Sequence, residues 1–316
     1  MTDRRWLLLT LLCTALSTLG IAGVNARIDL FGVFRDPTGR ALRVYGDVRV
    51  AKYLLSYRYV GANFDGVLVG SSMTGNWNLG PMRSARLYNE SVEAGNIVEE
   101  GVLLSRVLAD AEHPPKMVLM TVHPYLTGRH RFETVAIGPR EWWGALGSLN
   151  LIDAYKQARH PEQTQEFADI AGSEDYGEKA QALNADLKKM FQPGTPFAVD
   201  SIADERYFAL VREVQARGIP IVFIVPPTFE GLLAPKQAEF QSYVHAHLAA
   251  LQPQDRVIDF SSAEFASFRR DGANFSDGVH LLRAGAKQVV GIIDDRIAAW
   301  QADGWAATPA RPAARQ

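Results

Sequence analysis

Apolar and polar positions divide the chain into two regimes. Residues 1–5 end in two arginines, and residues 6–24 then run for 19 positions without a charge. A helix needs roughly 20 apolar residues to cross the hydrocarbon layer of a membrane. No polar face interrupts the run, as one would in a helix packed on a soluble core. Arginines ahead of such a run stay on the cytoplasmic side, so the rest of the chain is expected on the periplasmic, extracytoplasmic side of the inner membrane. Two fates stay open. The segment is either an uncleaved single-pass signal anchor or a signal peptide cut after Ala26, where Val24-Asn25-Ala26 loosely fits a small-residue site. The length of the run favours the anchor.

Beyond it the pattern changes to short apolar runs separated by amphipathic stretches. Residues 66–69 (GVLV), 86–89 (RLYN), 116–122 (KMVLMTV), 219–225 (IPIVFIV) and 256–260 (RVIDF) read as five strands, the fourth stopped by Pro226-Pro227. Continuous apolar runs belong to strands buried on both faces. Helical spacing covers 48–60, 97–111, 203–217, 235–251 and 285–300. Strand, helix, strand repetition predicts an α/β chain. Its layers run α/β/α around a mostly parallel five-stranded sheet, behind one N-terminal transmembrane helix. Residues 1–26 are the cytoplasmic stub and anchor, and 27–305 the α/β domain. The stretch 125–201 is too long and loose for a simple crossover. It reads as an insertion, partly helical around 174–190, and contains Trp142 and Trp143. From 306 the chain is rich in Ala, Pro and Arg and reads as a disordered tail.

Composition narrows the classes. The chain has 316 residues, is 47% hydrophobic and 22% charged, and has a formal net charge of -2. That suits one large core, and no basic stripe invites nucleic acid. The single cysteine, Cys13, lies in the apolar run. The exported part therefore has neither a disulfide framework nor a cysteine nucleophile.

In an open parallel sheet, ligands bind beyond the carboxyl ends of the strands. The first strand leads into Gly70-Ser71-Ser72-Met73. A serine there can be a nucleophile whose own N–H helps to hold an oxyanion, or it can simply cap a helix. Near the C-terminal end stands Phe275-Ser276-Asp277-Gly278-Val279-His280. A serine hydroxyl needs a base, histidine fits, and a carboxylate on the other ring nitrogen orients it. Here too the ordinary alternative is a cap and a packing histidine. A second D-x-x-H, Asp110 to His113, precedes the third strand, at the wrong edge for a site. His245 and His247, two apart on a helix, do not share a face and make a poor metal site.

In this order the two blocks FDGVLVGSSMTGNW and FSDGVHLLRAGA resemble the first and last signature blocks of the SGNH (GDSL-like) hydrolases. The resemblance implies a flavodoxin-like sheet. It makes Ser72 the nucleophile, with Ser71 in place of the family's Asp, and Asp277 and His280 the acid–base pair. Gly-Ser-Ser also resembles the anchored cell-envelope subgroup that includes the D-alanine-transfer protein of teichoic acids and the alginate acetylation proteins. LYNESVEAG resembles the second block, which would place the N–H of Gly95 beside that of Ser72 in an oxyanion hole. The third block usually offers an Asn, where this chain has TVHP and His123. Ser71, Asn89 and His123 stand beside these positions as candidate substrate contacts. The implied activity is serine-dependent esterase or O-acyltransferase chemistry on an envelope or exported polysaccharide, with no metal and no cofactor. The membrane and other envelope-biosynthesis proteins are the expected partners. A non-catalytic envelope scaffold with a degenerate site and a free periplasmic lipase or esterase, released by cleavage after Ala26, are the alternatives.

Overall fold

The computed structural model describes residues 3–128, 137–160, 189–194 and 197–305. The chain divides into two compact units, residues 1–63 with 137–166 and residues 64–136 with 167–316.

The second unit is built on one sheet. Its strands are β1 (Gly66–Val69), β2 (Leu87–Asn89), β3 (Met117–Thr121), β4 (Ile221–Val225) and β5 (Arg256–Asp259). They lie where the apolar runs place them, trimmed at the ends. Their order is β2-β1-β3-β4-β5, and every neighbouring pair is parallel. Gly66 is needed at the start of β1, because a Cβ there would fall 2.2 Å from the Met117 carbonyl oxygen.

Helices flank the sheet. A four-residue helix, α4 (Ser72–Gly75), follows β1, and α5 (Ile97–Leu108) joins β2 to β3. The later ones are α8 (Ser201–Ala216) before β4, α9 (Gln237–Leu248) before β5, and α10 (Arg283–Ala302). The side chains of Asn96 and Asp200 cap α5 and α8 by accepting two N–H bonds each, the usual way of satisfying orphan donors. Val289, Ile293 and Ile297 of α10 join Leu68, Leu119, Val222, Ile224 and Ile258 in the main core. The alternate strand residues Val67, Val69, Val118 and Met120 point to the other face and are equally buried. The chain places β2 on one side of β1 and then returns to place β3 on the other. The order therefore reverses between β1 and β3, the kind of point where open parallel sheets bind ligands.

The first unit holds α1 (Asp3–Ile28), which is long and apolar enough to cross a membrane. It stops at Asp29, whose φ is 52°. The Asp29 carboxylate accepts from the N–H groups of Val33 and Arg35 and pairs with Arg40. The helix expected over 48–60 is two helices, α2 (Val48–Leu55) and α3 (Tyr59–Asn63). The break falls at Ser56, the C-cap of α2. Its hydroxyl donates to the Lys52 carbonyl at 2.7 Å, and such back-bonding competes with helix continuation. Two helices from later in the chain complete the unit, α6 (Arg140–Gly144) and α7 (Asn150–Ala158). The helical stretch expected at 174–190 lies almost wholly outside the described residues, as does the tail from 306.

Candidate active site

The loop after β1 is drawn tightly into the sheet edge. A Cβ on Gly70 would fall 2.2 Å from Thr74 Oγ1 and 2.6 Å from Thr121 Oγ1, so only glycine lets the backbone turn here. Ser71 occupies the N-cap position of α4, yet its side chain makes no capping bond. Its hydroxyl is buried without a partner. Ser72 does not cap either. Its Oγ lies 2.8 Å from Nε2 of His280.

His280 is held from its other side. Nδ1 lies 2.7 Å from Oδ2 of Asp277, while Oδ1 of Asp277 accepts from the backbone N–H groups of Val279 and His280. An Nδ1–H bonded to the carboxylate leaves the Nε2 lone pair facing the serine hydroxyl, the tautomer that proton abstraction requires. Burial by itself would raise the Asp277 carboxyl. The hydrogen bond and charge of His280, with the two backbone N–H groups, outweigh it and hold the carboxyl below its ordinary value. The turn depends on Gly278, whose φ of 96° suits no other residue type well.

This loop is anchored onto the Ser72 helix. Asn76, which closes α4, donates through Nδ2 to the Leu281 carbonyl at 2.6 Å. Phe275 and Leu281 form an isolated antiparallel bridge, and Phe229 N–H donates to the Gly278 carbonyl. Asn76 is a residue that sequence reasoning missed. The only signal was its position four residues after Ser72, and its partner is 205 positions away.

The other candidates take different places. Asn89, at the end of β2, is buried and spent on structure. Its Nδ2 donates to the Thr74 and Trp77 carbonyls and its Oδ1 accepts from Ser91 N–H. The Gly95 N–H donates to the Val92 carbonyl at 3.1 Å, in a turn where Ala94 adopts a φ of 54°. That donor is committed within its own loop.

His123 follows β3. Val69 pairs with Met120 across β1 and β3, so Ser72 and His123 each stand three positions beyond that pair on adjacent strands. His123 Nδ1 accepts from Tyr125 N–H at 3.1 Å, which puts the ring proton on Nε2. That atom is buried without a hydrogen-bond partner. The ring lies among Phe191 and Phe240. Burial first, and the charge of His280 second, push its pKa down to about 3. The Thr121 and Thr228 hydroxyls, at the same sheet edge, are also buried and unpartnered. Buried polar groups without partners are uncommon enough to mark a place.

The second D-x-x-H closes a turn at the opposite edge. Asp110 accepts from the N–H groups of Glu112 and His113. His247 is a packing residue, stacked on Tyr243 and bonded to its carbonyl and to Asp204. Among the described residues no three His, Cys, Asp or Glu side chains gather as a metal site would require.

No protein-family model and no curated protein sequence matches the chain. Among solved structures it is distantly similar to a Streptococcus pneumonia protein provisionally described as a platelet activating factor. The identity is 12%, over 79% of this chain and 92% of that one, with a TM-score of 0.42. A lipase/acylhydrolase from Enterococcus faecalis is 11% identical over 74% and 95%, at TM-score 0.36. A provisionally described acylhydrolase from Bacteroides fragilis is 14% identical over 73% and 85%, at 0.34. Likenesses this distant assign neither activity nor family.

Proposed function

We propose that the chain is a membrane-anchored serine acyl-transfer enzyme of the SGNH type, acting on acyl esters of an envelope or exported polysaccharide. The observation that carries this reading is the hydrogen-bonded series from Ser72 Oγ through His280 to Asp277, at 2.8 and 2.7 Å. Ser72 Oγ attacks the ester carbonyl carbon as His280 Nε2 takes its proton. Asp277 holds the ring and stabilises the imidazolium. The tetrahedral intermediate collapses by expelling the alcohol, which leaves with the proton from His280, and the acyl group remains on Ser72. Water or a sugar hydroxyl then gives its proton to His280 and takes the acyl group, and His280 returns that proton to Ser72 Oγ as the acyl–oxygen bond breaks. The N–H of Ser72 is one oxyanion donor. Gly95 can be a second only if its N–H leaves the Val92 carbonyl. The substrate class follows from α1, since a site held outside the membrane meets glycans and lipid-linked envelope polymers.

The test is hydrolysis of a short-chain activated ester. Ser72→Ala should abolish it with the fold intact, and full activity in that variant would overturn the reading. The committed Gly95 N–H favours a second reading, a scaffold that keeps the fold without turnover. An active-serine phosphonate separates the two, because it labels Ser72 in an enzyme and leaves a scaffold unmodified.

A further inference from the structure

We propose that α6, α7 and the turn between them form a second membrane contact, seated in the lipid headgroup layer beside α1. The proposal rests on the reading of α1 as an anchor. Three large apolar side chains are turned outward on this short segment. Trp143 is 68% exposed, Leu149 82% and Ile152 52%. Leu151 and Ala154 of the same helix α7 are buried, so α7 packs on that side and carries Ile152 outward together with Asp153 and Lys156.

The segment is fixed to α1 at a depth that matters. Asn25, a buried residue one position past Val24, donates through Nδ2 to the Leu146 carbonyl at 2.7 Å. Its Oδ1 accepts from the Tyr155 hydroxyl at 2.8 Å. A Cβ on Gly147 would sit 3.9 Å from Cγ2 of Ile21, which lies inside the run. At 1.5 Å of rise per residue, Ile21 is only about 5 Å short of Val24. A turn that touches α1 there stands at the border of hydrocarbon and headgroups whenever α1 spans.

The chemistry of the surface suits that border. Tryptophan is favoured at the interface, where its ring is part apolar and part polar. Arg140, Lys156 and Arg159 are exposed on the same segment; Arg140 pairs with Glu141 and Lys156 with Asp153, and the segment keeps a small excess of cations. Cations beside Trp and Leu are the composition of a face that lies in the plane of anionic lipid. The occupant is therefore a bilayer containing anionic lipid, continuous with the one α1 crosses.

Site-directed spin labelling of the full chain tests this in vesicles of phosphatidylethanolamine and phosphatidylglycerol. Cys13, the only cysteine, is labelled first in the native sequence. Leu149→Cys and Ile152→Cys are then labelled separately in a Cys13→Ser background. The label at Cys13 should collide with oxygen and not with a water-soluble nickel chelate. The labels at 149 and 152 should also prefer oxygen, at a shallower depth. Nickel access at 149 or 152 with Cys13 protected overturns the second contact and leaves the anchor standing. Nickel access at Cys13 itself overturns the anchor, and the second contact with it.

Discussion

Two histidines stand at the carboxyl edge of the sheet, and their surroundings prepare them for different states. His280 has a carboxylate on one nitrogen and a serine hydroxyl on the other. His123 has a backbone N–H on one nitrogen, nothing on the other, and aromatic rings around it. Neutrality of His123 in the folded chain has a consequence for acid stability. Its folded pKa, about 3, lies below the unfolded 6.5, so between these values the unfolded chain binds the extra proton. Stability from this group is complete above pH 6.5 and is lost as pH falls toward 3, by several kcal/mol in all at about 1.4 kcal/mol per unit. His123→Gln should therefore lose less stability than the native chain between pH 7 and pH 4.5 in denaturant titrations. An equal loss in both would show that His123 accepts a proton without penalty. The approach of Ser72 to the Asp277–His280 pair was suggested by the order of two short blocks that resemble a family's, since each block alone had an ordinary capping explanation. The environment of His123 was not, because Phe191, Phe240 and Tyr125 meet it only once the chain is folded.

At the scale of elements, the strands were the most legible part. β1 to β4 are buried throughout, and such runs announce themselves without long-range information, while β5, at the sheet edge, buries only Ile258. Helix ends were less so. The stretch 48–60 keeps a helical apolar spacing across Ser56, yet α2 ends there, with the Ser56 hydroxyl and N–H both on the Lys52 carbonyl. The β1–α4 junction is the instructive case. Both serines had an ordinary capping explanation from sequence, and in the structure neither caps α4. Besides the Ser72–His280 bond itself, Asn76 ties α4 to the His280 loop through one bond to the Leu281 carbonyl. A single such bond contributes about 1 kcal/mol, so Asn76→Ala should lower Tm only slightly. Its larger effect should fall on kcat for ester hydrolysis with KM little changed, because Ser72 and His280 lose their fixed separation. A matching fall in Tm and no change in kcat would make Asn76 merely structural.

At the scale of the whole molecule, the fate of α1 decides which compartment the site serves, and the sequence left two fates open. The first unit bears on that choice. A cut after Ala26 would remove Asn25, and with it the partners of the Leu146 carbonyl and the Tyr155 hydroxyl. It would also cut within α1 rather than after it, two residues before its end at Ile28. Signal peptides are discarded, and a discarded segment has no reason to supply a buried side chain that ties two later helices together. The mature protein should therefore keep residues 1–26 and require detergent for extraction. Intact mass of the protein recovered from membranes checks this directly. A mature chain beginning at Arg27 would overturn the anchor, release the site from the membrane and restore the free-esterase reading. Asn25→Leu separates the structural role from the topological one. It should destabilise the first unit by about 1–3 kcal/mol, through unpaired buried groups, while leaving the extracted mass unchanged.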